Sequence, residues 1–366
     1  MKVGVNVTSY NIADWERLVA MDFSRPPTTP DVKFIDETFQ FGDLIEPLGF
    51  DAIWSTEHFG TAYSMQPNIL QWLAYWAGRT ERVDIGTAVI VVPWWNPVRL
   101  APEMAMLDIM LKGRQLMVGL GRGVSEHEYS ALGVSRDDSR EIFYETLDIL
   151  RLADTEERFS YDGKHFQIPP TSIRPQARHR GHLLDNVRVA TGTRRSMEMA
   201  AEAGLGLLFV ANEPLKDMAQ KVHDFNAMRA ANGYGPDHGT AVLYTYCTDN
   251  ETDTAKGHDF LDAQAKASRL HYFEWNNSGF EGVAGYEEYA ERLKKGKDEA
   301  SALVENEASQ LIGTPDQLIE KIARIKELTD LGYLILHMNY GTMSLEEASK
   351  SLKLFAKEVL PAVHEM

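Results

Sequence analysis

The sequence has few cysteines, a deficit of basic residues and no long apolar run. It contains one cysteine among 366 residues, so no disulfide can form within the chain and no cysteine cluster can bind a metal. That residue, Cys247, lies in the apolar run AVLYTYC and is expected to be buried and unreactive. Disulfide scaffolds and cysteine–metal scaffolds are therefore excluded.

The charge balance excludes two classes of partner. The chain carries 37 Lys and Arg residues against 54 Asp and Glu residues, a formal net charge of −17, with no Lys/Arg-rich run. Such a surface repels phosphate backbones and anionic lipids, so neither nucleic acid nor a membrane is an expected partner. The opening KVGVNV lacks the pattern of a signal peptide, and no apolar run reaches membrane-spanning length. We expect a cytoplasmic protein.

Short apolar runs alternate with stretches of helical periodicity. The eight runs are Val3 to Val7, Ala52 to Ser55, Val83 to Val92, Leu116 to Leu120, Val187 to Thr191, Leu207 to Val210, Ala241 to Cys247 and Tyr333 to Met338. Alternation of strands with crossover helices indicates a parallel sheet, and eight such units predict a (β/α)8 TIM barrel of the α/β class. With 44% hydrophobic residues, one core is sufficient, and we predict a single domain over residues 1–366.

Two stretches exceed a minimal barrel and are predicted to be insertions after the fourth and seventh strands. The first, 154–185, contains FSYDGKHFQIPP, which is typical of a short hairpin. The second, approximately 275–312, follows the seventh strand at the face where barrel enzymes hold their active sites. It could form a mobile lid or a helical excursion without function.

Polar residues at the predicted strand ends are candidate site residues. The segment FDAIWSTEHF ends in Glu57, His58 and Phe59, and an imidazole at a strand's carboxyl end can move protons near neutral pH. A His beside a Glu is also a common structural pair, so this segment alone does not decide between the two roles.

A phosphate site is predicted where the fifth strand enters a helix. In VATGTRRSMEMAAEAG, Thr193 and Ser196 offer hydroxyls beside the free N–H groups of the helix start. Arg194 and Arg195 place two positive charges at the positive end of the helix dipole, which is unfavourable unless an anion binds there. The alternative is an ordinary capped helix with solvated arginines.

Other predicted strands end at the same face of the barrel and supply further candidates. The fourth ends in GLGRG, where glycines admit a ligand to the backbone and Arg122 adds a cation, although G-x-G-x-G is weak as a phosphate motif. Trp94 and Trp95 follow the third strand and suit either an apolar pocket wall or core packing. Asn6 and His337 end the first and eighth strands.

In this order, the segments resemble the bacterial luciferase-like flavin monooxygenase family over essentially the whole chain. The matching segments are GFDAIWSTEHF, VDIGTAVIVVPWWNPVRLAPEMAMLDIMLKGR, GLGRGVSEHEYSALG, DGKHF and SLKLFAKEVLPAV. The resemblance implies a barrel that takes reduced FMN from a separate NAD(P)H-dependent flavin reductase and forms a peroxyflavin with molecular oxygen. It would then oxygenate a small apolar molecule by hydroxylation, epoxidation or Baeyer–Villiger-type insertion. A homodimer is also implied.

The resemblance also implies residue roles. His58 would be the catalytic histidine, while Phe59 stands where many relatives have a second histidine. The Ala88–Val89 bond matches the position of a non-prolyl cis peptide beneath the flavin ring. The expected cofactor-binding residues are Ala88, Arg122, Tyr129, Thr191, Gly192, Thr193, Arg194 and Arg195. The expected substrate pocket comprises Asn6, Glu57, Phe59, Trp94, Trp95 and His337, and no metal site is expected.

Other interpretations of the sequence stay open. A deazaflavin-dependent dehydrogenase or reductase would share the barrel and a similar phosphate region. A non-catalytic flavin-binding subunit would keep the core without the chemistry. A metal-dependent barrel hydrolase is disfavoured, because the first strand carries Asn6, Val7 and Thr8 where such enzymes have H-x-H.

Overall fold

The computed structural model describes residues 1–190, 193–210, 213–274, 279–283, 286–294 and 310–366. Within them the strands are β1 (Lys2–Asn6), β2 (Ala52–Ser55), β3 (Asp84–Val91), β4 (Leu116–Gly121), β5 (Phe159–Asp162), β6 (Gln167–Thr171), β7 (Val187–Ala190), β8 (Gly206–Val210), β9 (Thr240–Cys247), β10 (Leu311–Gly313) and β11 (Tyr333–His337). Eight of them close a parallel barrel in the order β1, β2, β3, β4, β7, β8, β9, β11, and β11 pairs with β1. The predicted (β/α)8 barrel is confirmed.

Helices surround this barrel. They are α1 (Trp15–Val19), α2 (Asp31–Gly42), α3 (Ile69–Arg79), α4 (Pro97–Met110), α5 (Glu126–Leu132), α6 (Ser139–Thr155), α7 (Arg194–Glu202), α8 (Leu215–Ala231), α9 (Thr254–Arg269), α10 (Glu287–Lys294), α11 (Pro315–Thr329), α12 (Leu345–Glu358) and α13 (Leu360–Glu365). A π-helical turn, Leu270–Glu274, continues α9. No helix in the described part of the chain combines the length and apolar character needed to cross a membrane.

The two predicted insertions differ in how far the structure describes them. The first contains the antiparallel hairpin of β5 and β6, as predicted. In the second, residues 275–278, 284–285 and 295–309 lie outside the described residues, so the lid stays a prediction. The three-residue strand β10 was not predicted; it pairs with the carboxyl end of β9, beyond the part of β9 that pairs with β8 and β11.

One indole fills the interior of the barrel between three strands. Trp54 of β2 is buried, and Gly4 of β1 and Gly86 of β3 lie against it. A Cβ atom on Gly4 would lie 2.4 Å from the indole, and one on Gly86 would lie 2.3 Å from it. The absence of a side chain on both neighbouring strands therefore makes the space that Trp54 occupies.

Gly86→Ala should lower the free energy of unfolding by about 1–3 kcal/mol, because the new methyl group must displace Trp54. Gly78→Ala is a matched control, since Gly78 lies on the exposed face of α3 and a Cβ atom added there would contact nothing within 4 Å beyond the adjacent residues and the backbone of its own helix. Alanine favours a helix over glycine by about 1 kcal/mol, so the control should be as stable as the parent or more so. Urea unfolding followed by circular dichroism measures both, and equal stability of the two variants would contradict this packing.

Candidate active site

A cavity of about 260 Å³ opens at the carboxyl ends of the barrel strands. The predicted site residues that line it are Glu57, His58, Ala88, Trp94, Arg122, Thr193 and His337. Six tyrosines also line it: Tyr10, which follows the first predicted strand, and Tyr63, Tyr244, Tyr272, Tyr286 and Tyr289, which the sequence did not single out. The cavity is thus aromatic, as expected, but it also presents many hydroxyl groups.

One wall of the cavity carries little side-chain bulk. Ala88 and Val89 of β3 line it beside Gly121 of β4, and a Cβ atom on Gly121 would lie 2.5 Å from Val89 Cγ2. The Ala88–Val89 peptide bond is cis, in agreement with the resemblance. Small side chains and bare backbone leave room for a planar ring against this wall.

A second, smaller cavity of about 20 Å³ adjoins the first, and three arginines are among the residues that line it. Arg122, Arg140 and Arg195 line it together with Ser196, and Arg122 and Ser196 line both cavities. Thr193 caps α7 by accepting the Ser196 N–H. Three guanidinium groups beside hydroxyls at a helix start can hold an anion such as a phosphate monoester.

The two consecutive arginines of α7 occupy different positions. Arg194 has a 72% exposed side chain, lies 3.1 Å from Glu198 and lines neither cavity, so it is a solvated surface residue. Arg195 also pairs with Glu198, at 3.4 Å, yet it reaches the smaller cavity. Neighbouring residues on a helix point about 100° apart, which explains why Arg195 reaches the smaller cavity and Arg194 does not. Thr191 and Gly192 lie outside the described residues.

His58 is held by a buried carboxylate. Its Nδ1 lies 3.0 Å from Glu128 Oε1, which also accepts the Phe59 N–H at 2.8 Å. Burial opposes ionisation of Glu128, but the imidazoles of His58 and His271 outweigh it and lower the pKa of Glu128 to about 2. An ionised carboxylate can only accept, so Nδ1 of His58 carries a proton.

A second imidazole reaches the same carboxylate from the far end of α9. His271 Nε2 lies 3.3 Å from Glu128 Oε2, and the rings of His58 and His271 are 4.9 Å apart in a T-shaped arrangement. Burial lowers the pKa of His271. The next residue, Tyr272, places its hydroxyl 3.1 Å from Nε2 of His58. Sequence spacing gave no signal for His271 or Tyr272, because they meet His58 only through the packing of α9 on the barrel mouth.

Glu57 braces the mouth as well as lining it. Its carboxylate accepts the Val91 N–H at 2.7 Å, the Trp95 indole N–H at 3.0 Å and the Ile69 N–H at 3.4 Å. These bonds connect the end of β2 to the end of β3 and to the start of α3. Burial raises the pKa of Glu57 to about 7 despite the three donors.

Four predicted site residues lie behind the cavity wall. Asn6 contacts Nδ1 of His337, and Trp95 donates to Glu57. The Tyr129 hydroxyl donates to the Arg122 carbonyl, and the Phe59 N–H donates to Glu128. These residues are not among those that line the cavity; they contact residues that do.

Comparison with known proteins gives a family match over most of the chain. A family model described as luciferase-like monooxygenase matches residues 18–331. The alkanal monooxygenase alpha chain of Photorhabdus luminescens is 24% identical over 352 residues, which are 93% of this chain and 95% of that protein. An uncharacterised protein of Sinorhizobium fredii is 35% identical over 168 residues, so the match spans 46% of this chain and 47% of that protein.

Solved structures share the fold. The monooxygenase RslO1 from Streptomyces bottropensis is 24% identical with a TM-score of 0.79, and the match covers 100% of both chains. The oxygenating constituent of 3,6-diketocamphane monooxygenase from Pseudomonas putida, solved in complex with FMN, is 18% identical with a TM-score of 0.68. That match covers 99% of this chain and 98% of the other.

Glu57→Gln should remove one source of pH dependence from the stability of the protein. Between pH 4.5 and about 7, Glu57 is ionised in the unfolded chain but still protonated in the fold, so its contribution to stability falls as the pH rises. Over that pH range the contribution of Glu57 to the free energy of unfolding falls by on the order of 3 kcal/mol. The free energy of unfolding of the parent minus that of the variant should therefore decrease from pH 5 to pH 8. A difference that does not change with pH would contradict the raised pKa.

Proposed function

The chain belongs to the luciferase-like monooxygenase family, and on that basis we propose that it is the oxygenating component of a two-component, FMN-dependent monooxygenase. A separate NAD(P)H-dependent flavin reductase would supply the reduced FMN. The observation that carries the proposal is the junction of the arginine-lined cavity with the larger cavity that His58 lines. The names of its relatives, an alkanal monooxygenase and the oxygenating constituent of a Baeyer–Villiger enzyme, support it.

The residues that line the two cavities suit both the phosphate group and the ring system of FMN. Arg122, Arg140 and Arg195 would bind the phosphate together with the hydroxyls of Thr193 and Ser196, since charge-assisted bonds of this kind are the strong ones. The cavity wall formed by Ala88, Val89 and Gly121, which carries only small side chains, would contact the ring system. When bound, reduced FMN supplies the electrons that activate molecular oxygen.

His58 is the proposed proton donor and acceptor. Glu128 fixes the proton on Nδ1, so Nε2 is the nitrogen that exchanges a proton with the Tyr272 hydroxyl or with a molecule in the cavity. Glu128 and His271 act through His58 and are positioning residues. The surrounding apolar and aromatic side chains limit the access of water to this proton transfer.

Oxygen labelling tests the reaction. We expect one 18O atom from 18O2 in the product when the protein receives reduced FMN and either a long-chain aldehyde such as decanal or a bicyclic ketone such as camphor. His58→Ala should lower product yield at least about 100-fold, the usual size of a general acid–base contribution, while FMN still binds.

Controls separate proton transfer from other effects. His127→Ala is the matched control, because His127 is a nearby imidazole that contacts the Gly60 carbonyl and does not line the cavity. Treatment with EDTA should leave the yield unchanged; it is included because ligand atoms of His58, Glu128 and His271 lie within 4.8 Å of one another. Oxygen consumption without label in any product, or full yield from His58→Ala, would refute the proposal.

Arginine variants test the phosphate site. Arg122→Ala and Arg140→Ala should each weaken FMN binding about 10- to 100-fold, because each removes one charge-assisted contact. Arg194→Ala should change the dissociation constant by less than about twofold, since this exposed side chain pairs with Glu198. Fluorescence titration measures all three, and an equal loss in every variant would show that only the overall surface charge matters. A parallel titration with the deazaflavin cofactor tests the alternative function, which a preference for that cofactor would favour.

A further inference from the structure

A chain of hydrogen-bonded hydroxyl groups in the wall of the cavity begins at the side-chain amide of Gln66, whose orientation is fixed by its partners. The backbone N–H of Ser9 donates to Oε1 of Gln66 at 3.2 Å, which identifies that atom as the amide oxygen. The Ser64 hydroxyl donates its proton to the same oxygen, also at 3.2 Å. The direction of every further hydrogen bond in the chain follows from this start.

The chain of donors ends at His337. Because the Ser64 proton is already used, Thr56 donates to Ser64 at 3.0 Å, and Thr8 in turn donates to Thr56 at 3.1 Å. Thr8 therefore accepts from Asn6 at 2.8 Å, and the group that Asn6 presents is its NH2. The same NH2 nitrogen lies 3.2 Å from Nδ1 of His337, which must be the acceptor.

This acceptor role determines the state of the imidazole. His337 is 6% exposed, and burial lowers its pKa to about 3, so the ring is uncharged at neutral pH. An uncharged ring whose Nδ1 accepts carries its proton on Nε2. The Tyr10 hydroxyl also lies 3.3 Å from Nδ1, which leaves Nε2 as the free side of the ring. Among the described residues, Nε2 has no hydrogen-bond acceptor.

The position of His337 separates it from the proposed phosphate site. In the closed barrel, β11 lies four strands from β4 in either direction, so His337 faces Arg122 from the opposite side of the mouth. Tyr244 packs beside His337, with ring centroids 5.0 Å apart, and both line the cavity. This side of the cavity therefore combines aromatic walls with one uncharged N–H donor.

We propose that the Nε2–H group of His337 determines substrate specificity by donating a hydrogen bond to a carbonyl oxygen of a small ring-bearing substrate. The proposal rests on the proposed function in assigning the arginine side of the cavity to FMN. A pure hydrocarbon would bury this donor without a partner, and a site built around a donor discriminates against ligands that lack the acceptor. A ketone therefore fits this side of the cavity better than a pure hydrocarbon does, which narrows the class of small apolar molecule expected from the sequence.

The 15N chemical shifts of the His337 ring show directly which nitrogen carries the proton. Protein labelled with 15N-histidine should show His337, assigned by its loss in His337→Gln, as the Nε2–H tautomer from pH 6 to pH 8. The probes are three ketones, cyclohexanone, camphor and tetralone, each paired with its parent hydrocarbon, cyclohexane, bornane and tetralin. We expect at least one ketone to shift the Nε2 resonance and none of the hydrocarbons to do so. An Nδ1–H tautomer, no shift with any ketone, or equal shifts with the hydrocarbons would overturn the proposal.

Variants give a second readout. His337→Leu should raise the dissociation constant of the responding ketone about tenfold, and His337→Gln, which keeps an N–H group at similar reach, should restore part of the affinity. FMN binding is titrated in the same samples. If ketones shift Nε2 but reduced FMN does not bind, the proposed function fails and the substrate inference stands. If FMN alone produces the shift and ketones add nothing, His337 is a cofactor contact and the inference is wrong.

Discussion

Two buried carboxylates at the end of β2 hold the candidate site together. Glu57 accepts N–H groups from the end of β3 and the start of α3, while Glu128 of α5 accepts from His58 and Phe59. Both are nearly inaccessible to water, yet their environments shift their pKa values in opposite directions. Two imidazoles keep Glu128 ionised, whereas burial, helped by the negative charge of Glu128, raises the pKa of Glu57. Glu128 thus orients the imidazoles, and Glu57 connects the end of β2, which His58 follows, to β3 and α3.

This arrangement divides the barrel mouth by charge. Arg122 follows β4, Arg195 lies on α7 after β7, and Arg140 lies on α6. The His58 network lies at the end of β2, and the uncharged His337 lies on β11. A ligand with an anionic end and a planar body matches the arginine side of the mouth. An uncharged molecule matches the side that His337 lines. The two occupants would meet beside His58 and Tyr272, the pair whose hydroxyl and imidazole can exchange a proton.

The sequence predicted the barrel because strand and helix periodicities alternate eight times, and it placed His58, Arg122 and His337 at strand ends, where parallel strands all converge. Residues supplied by helices were harder to place. Arg140 on α6 and His271 after α9 reach the site only through the rotation and docking of their helices, which local patterns do not encode. Arg194 illustrates the same limit, because one helical step separates an exposed arginine from Arg195, which lines the smaller cavity. The short strand β10 depends on pairing with β9 rather than on its own three residues.

Phe59 shows how the site can keep two imidazoles without a His-His pair on one strand. Position 59 contributes its backbone N–H to Glu128, and any residue except proline could supply that donor. The second imidazole comes instead from His271, on the turn that also carries Tyr272. The network of close polar contacts around His58 is therefore assembled from the end of β2, α5 and the end of α9. A shift of the α9 end would remove the Tyr272 hydroxyl and the second imidazole from Glu128 and His58 together, so the docking of this helix is as much a requirement of the site as the strand that carries His58.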